Sequence, residues 1–164
     1  MARTDLTAEL VREALHYDPE TGVFTWVAQH GQQTPGKRAG FSRPNGYVDV
    51  TVFKVKVLAH RLAWLYMTGE HPENDIDHRD GDRGNNRWAN LRHVTRSVNL
   101  QNQRAPRAGK KDGLPLGVTK KRKRWQAQIH FGGVTRRLGC FDSPEDAHQC
   151  YLAAKREHHE GNML

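Results

Sequence analysis

Apolar and polar positions along this chain change period in short segments, a pattern that predicts several small strands and helices. Apolar residues at helical spacing predict helices over 7–15 and 58–67, the second of which ends at Gly69. Period-two alternation predicts a strand over 23–27 and a β-hairpin over 47–57. The first part of the chain is therefore expected to combine helices with small antiparallel sheets.

The remainder of the chain repeats this mixture on either side of a segment rich in glycine, proline and basic residues. Residues 76–103 predict a strand, a polar loop, a second strand and a helix. Residues 116–164 predict three strands, followed by a helix capped by Ser143. We therefore expect an α+β protein with a first domain over 1–103, a basic linker over 104–115 and a second domain over 116–164.

Composition and charge narrow the class of protein. The chain has 164 residues and a net charge of +8, and its two cysteines are too few for a disulfide framework or a four-thiolate zinc site. No apolar run approaches the roughly 20 residues that span a bilayer, and the start lacks the apolar stretch of a secretory signal. These features predict a cytoplasmic protein without a membrane partner.

The basic residues are concentrated in one segment. Nine basic residues and one acid lie between 104 and 124, so this segment carries a charge equal to the whole net charge of +8. Such a run is often a solvated face or a tail. Here it leads directly into an alternating strand at Trp125, which favours an anionic partner such as nucleic acid.

Four polar residues of the strand–loop–strand–helix segment form the candidate chemical site: Asp77, His78, Asn90 and Asn99. Adjacent residues on a strand point to opposite faces, so Asp77 and His78 can contact different partners. We expect the following helix to bring Asn99 beside Asp77. One carboxylate and one amide oxygen suit a hard divalent cation that keeps open positions for water and phosphate.

The residues of this segment resemble the HNH (ββα-metal) endonuclease family. The resemblance is carried by Ile76–Gly81, Asn85–Arg87, Asn90–Arg92 and Thr95–Asn99, and it extends from about Tyr47 to Asn102. The block His60–Ala63 is similar to the phage and intron-encoded homing subgroup of that family. The implied fold is an N-terminal β-hairpin plus a ββα-metal module.

This resemblance implies a role for each matched residue. His78 corresponds to the general base, Asp77 and Asn99 to the metal ligands, and Asn90 to the asparagine that braces the loop and orients His78. Arg96 corresponds to a basic residue near the scissile phosphate. Because Asn99 stands where many members have histidine, the oxygen ligands favour Mg²⁺ or Mn²⁺ over zinc.

Two other histidines of the segment receive non-catalytic interpretations. His93 is expected on the second strand of the segment, away from the chemistry. His60, in the adjoining helix, is interpreted as structural or as a DNA contact.

The C-terminal domain contains a second set of motif residues: Gly117–Val118, Trp125–Ile129, Leu138–Phe141 and Ala147–Ala154. These residues resemble the plant ethylene-response-factor (Apetala-type) DNA-binding domain. In that family a small three-stranded antiparallel sheet packs on one helix and places its outward face in the DNA major groove. The expected DNA-binding residues are Arg122, Arg124, Gln126, Gln128, His130 and Arg137. Arg137 replaces the tryptophan of the family's last strand, so no base preference is carried over.

The sequence as a whole predicts a site-directed DNA endonuclease of the homing type. We expect it to act as a monomer on double-stranded DNA, with one divalent metal ion, and to nick rather than break both strands. If the chain is phage-encoded, it would act in the bacterial host cytoplasm. The alternative is a non-catalytic DNA-binding regulator that uses the HNH frame as a scaffold, but every catalytic position holds a competent residue. A protein-interaction module would leave the four-residue constellation unexplained.

Overall fold

The computed structural model describes residues 6–27, 29, 33–103 and 112–159. The chain divides into two compact units, Met1–Arg96 and Ser97–Leu164. The helices are α1 (Ala8–Ala14), α2 (Ala59–Thr68), α3 (Arg96–Gln101) and α4 (Pro144–His158). The strands are β1 (Leu15–Asp18), β2 (Val23–Trp26), β3 (Arg38–Ala39), β4 (Phe41–Ser42), β5 (Val48–Val52), β6 (Val55–Leu58), β7 (Asp75–His78), β8 (Leu91–Val94), β9 (Val118–Lys121), β10 (Arg124–Phe131) and β11 (Val134–Phe141). Within these described ranges, no helix is both long and apolar enough to cross a membrane.

The first unit begins with the predicted short helix and a hairpin. The hydroxyl of Thr7 accepts a hydrogen bond from the backbone N–H of Leu10 at 3.4 Å, which confirms the N-cap of α1. β1 follows α1 without a break and pairs antiparallel with β2, on which β3 adds a third strand. The sequence did not predict β1, because the helical pattern runs directly into it. Gly22, with φ of +72°, closes the turn between β1 and β2.

The core of the first unit lies between the helices and the small sheets. β4, β5 and β6 form an antiparallel sheet, and α2 starts where β6 ends. Gly69 ends α2 in the left-handed conformation, and its N–H donates to the carbonyl of Leu65, as predicted. The fully buried side chains that build this core include Val11, Leu15, Tyr17, Phe24, Val50, Leu62 and Leu65. Ile76 of β7 and Leu91 of β8 belong to the same cluster, so the two strands of the candidate site rest on the core.

The segment of the candidate site has the predicted order of strand, loop, strand and helix. β7 and β8 pair antiparallel, and a short 3₁₀ turn over Trp88–Asn90 precedes β8. α3 ends at Gln101, whereas the sequence predicted a helix reaching Gln103. Helix ends differ by one or two residues between criteria, so this difference is small.

The second unit contains the predicted three-stranded sheet and its helix. The strand order is β11-β10-β9, all antiparallel, and α4 packs against β10 and β11. Ser143 caps α4 by accepting from the N–H of Asp146 at 3.0 Å, as predicted. This mixed α+β architecture with small antiparallel sheets confirms the predicted fold class.

The compact-unit boundary lies between Arg96 and Ser97, so it assigns most of α3 to the second unit. The predicted domains over 1–103 and 116–164 and the linker over 104–115 remain predictions, because 104–111 fall outside the described residues.

Candidate active site

Two candidate chemical residues lie at the end of β7. Asp77 and His78 are 7% and 4% exposed, and both follow the buried Ile76. As neighbours on a strand they contact different partners: Asp77 faces Arg92 across the strand pair, whereas His78 faces Asn86 of the following loop. The expected divergence of the two side chains is therefore present.

Asp77 forms an ion pair with Arg92. The two residues stand opposite each other in the β7–β8 register. Nε and Nη2 of Arg92 both donate to Oδ2 of Asp77, at 3.0 and 2.8 Å. The carboxylate therefore lies in a site that stabilises a cation beside it.

His78 makes a side-chain contact with Asn86, a residue that the sequence analysis did not single out. Nε2 of His78 lies 3.1 Å from Oδ1 of Asn86, and Asn86 is 3% exposed. In the sequence, Asn86 lies in the polar loop, within the stretch Asn85–Arg87 that carries the family resemblance. The sequence alone did not distinguish Asn86 from Asn85, because only the folded loop shows which of the two amides faces His78.

Asn90 closes the loop that follows β7. Its Nδ2 donates to Oδ1 of Asp80 at 2.9 Å and to the carbonyl of Asn85 at 2.8 Å, while its Oδ1 accepts from the N–H of Asp80 at 3.0 Å. Burial acts to raise the pKa of Asp80, but hydrogen bonds from Asn85 and Asn90 outweigh it and leave that pKa lowered. These bonds hold the two sides of the loop together.

Two aromatic rings stand beside His78 in the first unit. The His60 ring is edge-on to the His78 ring, with centroids 5.0 Å apart, and Tyr47 lies 5.3 Å from His60. Burial, reinforced by the charges of His78 and Arg61, lowers the pKa of His60 to about 3. Nδ1 of His60 is buried and has no hydrogen-bond partner among the described residues. His60 is thus a neutral buried ring in contact with His78.

His93 and Arg96 occupy the flanks of the strand pair. Nε2 of His93 accepts from the backbone N–H of Asn74 at 2.9 Å, and its ring lies 5.2 Å from that of Trp64. His93 is on β8, as expected. Arg96 is 72% exposed at its side chain and pairs with Asp75 at 2.9 Å. Its exposure leaves the guanidinium accessible from solvent.

Asn99 lies on α3, in the second unit. Among the described residues, no three or more His, Cys, Asp or Glu side chains are grouped to hold a metal ion. The predicted ligand pair has only two members, one aspartate and one asparagine, so the absence of such a group does not concern it.

The β10 strand of the second unit separates a buried face from a polar one. Ala127 and Ile129 are buried, whereas His130 is exposed and Gln126 and Gln128 are partly exposed. Strand pairing places Arg137 opposite Gln128, next to a bulge that follows Ala127.

Other polar residues of this sheet are held by their neighbours. Arg124 pairs with Asp142 at 2.9 Å, and His130 Nδ1 lies 3.0 Å from the hydroxyl of Thr135. Arg122 has a positive φ of 53° between β9 and β10. The predicted DNA-binding residues therefore lie on the polar side of β10 and β11 and at one hairpin turn.

Comparison with family models finds a match over the strand–loop–strand–helix segment. Residues 57–101 match the family model described as HNH endonuclease. This segment contains Asp77, His78, Asn90 and Asn99, and it is similar to HNH endonuclease domains. The solved structure of the HNH homing endonuclease I-HmuI, described as binding and cleaving DNA, is 21% identical, with a TM-score of 0.45, and the match covers 90% of this chain and 88% of that one. No curated protein matched the chain.

Proposed function

We propose that this chain is a metal-dependent, site-directed endonuclease of the homing type that nicks double-stranded DNA, with His78 as its general base. The observation that carries the proposal is the buried His78 directly beside Asp77 at the end of β7, inside the HNH segment. A neutral imidazole has a ring nitrogen that can act as general base and take a proton from the attacking water. Asn90 closes the loop that follows this pair, through its hydrogen bonds to Asp80 and Asn85.

Asp77 and Asn99 are the proposed metal ligands. Their donor set, one carboxylate and one amide oxygen, fits a hard ion such as Mg²⁺ or Mn²⁺. Asp77 already contacts the Arg92 guanidinium through Oδ2, so a metal ion bound to this carboxylate would compete with that ion pair. When bound, a divalent ion would stabilise the negative charge on the phosphoryl and leaving oxygens.

Arg96 is proposed to contact the DNA phosphate near the point of cleavage. Its side chain is mostly exposed, and its partner Asp75 is at the surface end of β7. An exposed ion pair contributes little to stability, so Arg96 can exchange Asp75 for a phosphate oxygen at small cost.

The second unit is proposed to read DNA as an Apetala-type domain. The support is its architecture, a three-stranded antiparallel sheet packed on α4, together with the polar face of β10 and β11. In this interpretation Gln126, Gln128 and Arg137 meet base edges, and the basic turn at Arg122 meets phosphates.

The catalytic proposal is tested by incubating the full chain with supercoiled plasmid, with and without Mg²⁺. We expect a nicked circle to accumulate before any linear product, only when metal is present. His78→Ala should abolish cleavage and leave DNA binding nearly intact, whereas His16→Ala, on the exposed side of β1, serves as the matched control and should cleave normally. Metal-independent binding without cleavage by the unaltered protein would instead identify a non-catalytic DNA-binding regulator.

The ligand assignment is tested with Asp77→Ala and Asn99→Ala. Each should raise the half-activating Mg²⁺ concentration, and Mn²⁺ should restore part of the activity. Isothermal titration of the DNA-free protein gives a second readout, in which both variants should bind metal more weakly. Unchanged values for both variants would refute the pair.

The reading function is tested by binding and cleavage mapping. Arg122→Ala should weaken binding to all sequences and reduce the slope of log Kd against log salt by about 1, since one phosphate contact releases about one counterion. Gln128→Ala should change site preference instead. If both variants keep the cleavage map and the salt slope of the unaltered protein, this sheet does not read DNA.

A further inference from the structure

The His78 ring is fixed by a buried hydrogen bond to a side-chain amide. Nε2 of His78 and Oδ1 of Asn86 are 3.1 Å apart, within normal hydrogen-bonding distance. Both side chains are almost entirely excluded from water. A hydrogen bond in such surroundings is stronger than the same bond at the surface.

The neighbours of Asn86 determine which end of the amide faces His78. Nδ2 of Asn86 donates to the carbonyl of Gly84 at 3.2 Å, and a carbonyl can only accept. The amide oxygen therefore points at His78. Because this oxygen also only accepts, the hydrogen must belong to Nε2 of His78. In the neutral ring the lone pair then belongs to Nδ1.

We infer that Asn86 is a positioning residue for catalysis, which holds the His78 ring in the Nε2–H tautomer and thereby makes Nδ1 the nitrogen that accepts the proton. The inference rests on the proposed role of His78 as general base. It differs from the role that the family resemblance gives to Asn90. The Asn90 side chain binds Asp80 and Asn85 and closes the loop, while the amide next to the imidazole is that of Asn86.

The N-terminal hairpin of β1 and β2 holds the backbone of Asn86 in place. The hydroxyl of Tyr17, on β1, donates to the carbonyl of Asn86 at 2.6 Å, and Tyr17 is buried. The backbone N–H of Trp88 donates to the carbonyl of Pro19 at 3.0 Å. A Cβ atom at Gly22 would lie 2.4 Å from the carbonyl carbon of Asn86, so the turn packs directly on the loop. The hairpin therefore supports the residue that orients the base.

Two substitutions at Asn86 separate the hydrogen bond from the volume it fills. Asn86→Leu keeps a similar volume and removes the acceptor. Asn86→Asp keeps an acceptor for the Nε2–H group, loses the donor to Gly84 and adds a negative charge, which also favours the hydrogen on Nε2. If the inference holds, Asp preserves the tautomer and most of the activity, whereas Leu does not.

The tautomer is measured by nitrogen-15 NMR of the histidine rings of the full-length protein at mildly alkaline pH. The His78 signals are assigned by their loss in His78→Gln. We expect the Nε2–H pattern in the unaltered protein and in Asn86→Asp, and a mixed or Nδ1–H pattern in Asn86→Leu. Metal-dependent nicking by Asn86→Leu should fall by roughly 10- to 100-fold, the range for partners that orient a functional histidine, with an unchanged Kd for plasmid.

A control excludes a general loss of stability. Val50→Ala removes volume at a fully buried side chain of β5, which lies outside the loop, and should lower stability without changing the His78 pattern. If Asn86→Leu does not fold, Tyr17→Phe is used instead, because it removes the hydroxyl that holds the carbonyl of Asn86. This variant should show a mixture of the two His78 tautomers and nick plasmid several-fold more slowly.

An Nε2–H pattern with normal cleavage in Asn86→Leu, or in Tyr17→Phe if the first variant is unfolded, would overturn the inference. Failure of the proposed function is a separate result: it would appear as cleavage by His78→Ala, whatever the tautomer.

Discussion

Arg92 and Asp77 face each other across the β7–β8 pair, and Nη2 of Arg92 lies 2.8 Å from Oδ2 of Asp77. Both side chains are nearly buried, at 13% and 9% exposure. A buried charge that loses its partner is strongly unfavourable. The guanidinium therefore neutralises a carboxylate that we propose as a metal ligand, and a metal ion bound there would compete with Arg92 for that carboxylate.

Replacing Arg92 should make the stability of the protein depend on metal. Without Mg²⁺, Arg92→Met should lower the free energy of unfolding by a few kcal/mol, toward the roughly 3–5 kcal/mol seen when one partner of a buried pair is removed. Saturating Mg²⁺ should restore more stability to this variant than it adds to the unaltered protein. Urea unfolding with and without Mg²⁺ measures both quantities.

The matched control is Arg43→Met, which breaks the ion pair with the buried Asp49 at 2.6 Å, on the β4–β5 sheet. It should destabilise the protein without any recovery in Mg²⁺. Equal recovery in the two variants would contradict a metal site at Asp77.

The sequence predicted elements whose ends are set by local chemistry, such as the caps at Thr7, Gly69 and Ser143. It also predicted that Asp77 and His78 are neighbours on a strand, and both lie on β7. It did not predict β1, because a four-residue strand that continues directly from a helix has no turn residue to mark its start.

The partners of the candidate site depend on contacts between distant segments, and for this reason periodicity did not reveal them. Arg92 is 15 positions from Asp77 and meets it only through the β7–β8 register. Asn86 takes its position from Tyr17, which is 69 positions away. The chemical types in the site were therefore predictable from the sequence, whereas the orientation of each group required the folded loop.

His60 should make the protein sensitive to acid. The pKa of its buried ring is lowered from 6.5 to about 3, so in this range the unfolded chain binds a proton that the folded chain does not. Stability is therefore lost as pH falls from 6.5 toward 3, with a limiting slope of about 1.4 kcal/mol per pH unit from this one group. His60→Phe should flatten the dependence over that interval.

The measurement is urea unfolding at a series of pH values. Val50→Ala is the control, since it introduces no titrating group and should shift the curve downward while keeping its shape. A His60→Phe curve parallel to that of the unaltered protein would show that His60 does not cause the acid sensitivity.

Gly22 should tolerate no side chain, because its turn packs on the loop backbone. A Cβ atom there would lie 2.4 Å from the N atom of Arg87, with φ at +72°. Gly22→Ala should therefore lower both stability and the rate of nicking. Gly36→Ala is the matched control: it has a similar φ of +79° but no atom within 4 Å of the added Cβ.

Thermal unfolding and plasmid nicking compare the two glycine variants. Gly36→Ala should cost about 1–2 kcal/mol from backbone strain alone and leave the nicking rate unchanged. Gly22→Ala should cost more than that and nick more slowly. If the two substitutions change stability and nicking rate equally, the contact between this turn and the loop does not contribute to nicking.

Lys155 should link α4 to the segment that follows α3. Its side chain is 1% exposed, and Nζ donates to the carbonyl of Gln103 at 2.6 Å, both within the second unit. A chain that ends at Gln103 retains Asp77, His78, Asn90 and Asn99 but loses this donor together with the whole sheet of β9, β10 and β11, which we propose reads DNA. We expect such a chain to nick plasmid in a metal-dependent way only at high enzyme concentration, and without site preference.

Lys155→Met in the full chain separates the two losses, because it removes the donor and keeps the sheet. It should retain the cleavage map of the unaltered protein. The stability of the second unit should fall, because Met fills much of the volume of Lys155 but cannot donate to the carbonyl of Gln103. Lys155→Arg, which keeps a charged donor, should recover part of that stability. Mapping the cleavage sites on one long DNA and measuring thermal unfolding test both statements. If the truncated chain and Lys155→Met both reproduce the original map, site choice belongs to the β-rich region before His60, because the reading sheet would then contribute nothing to it.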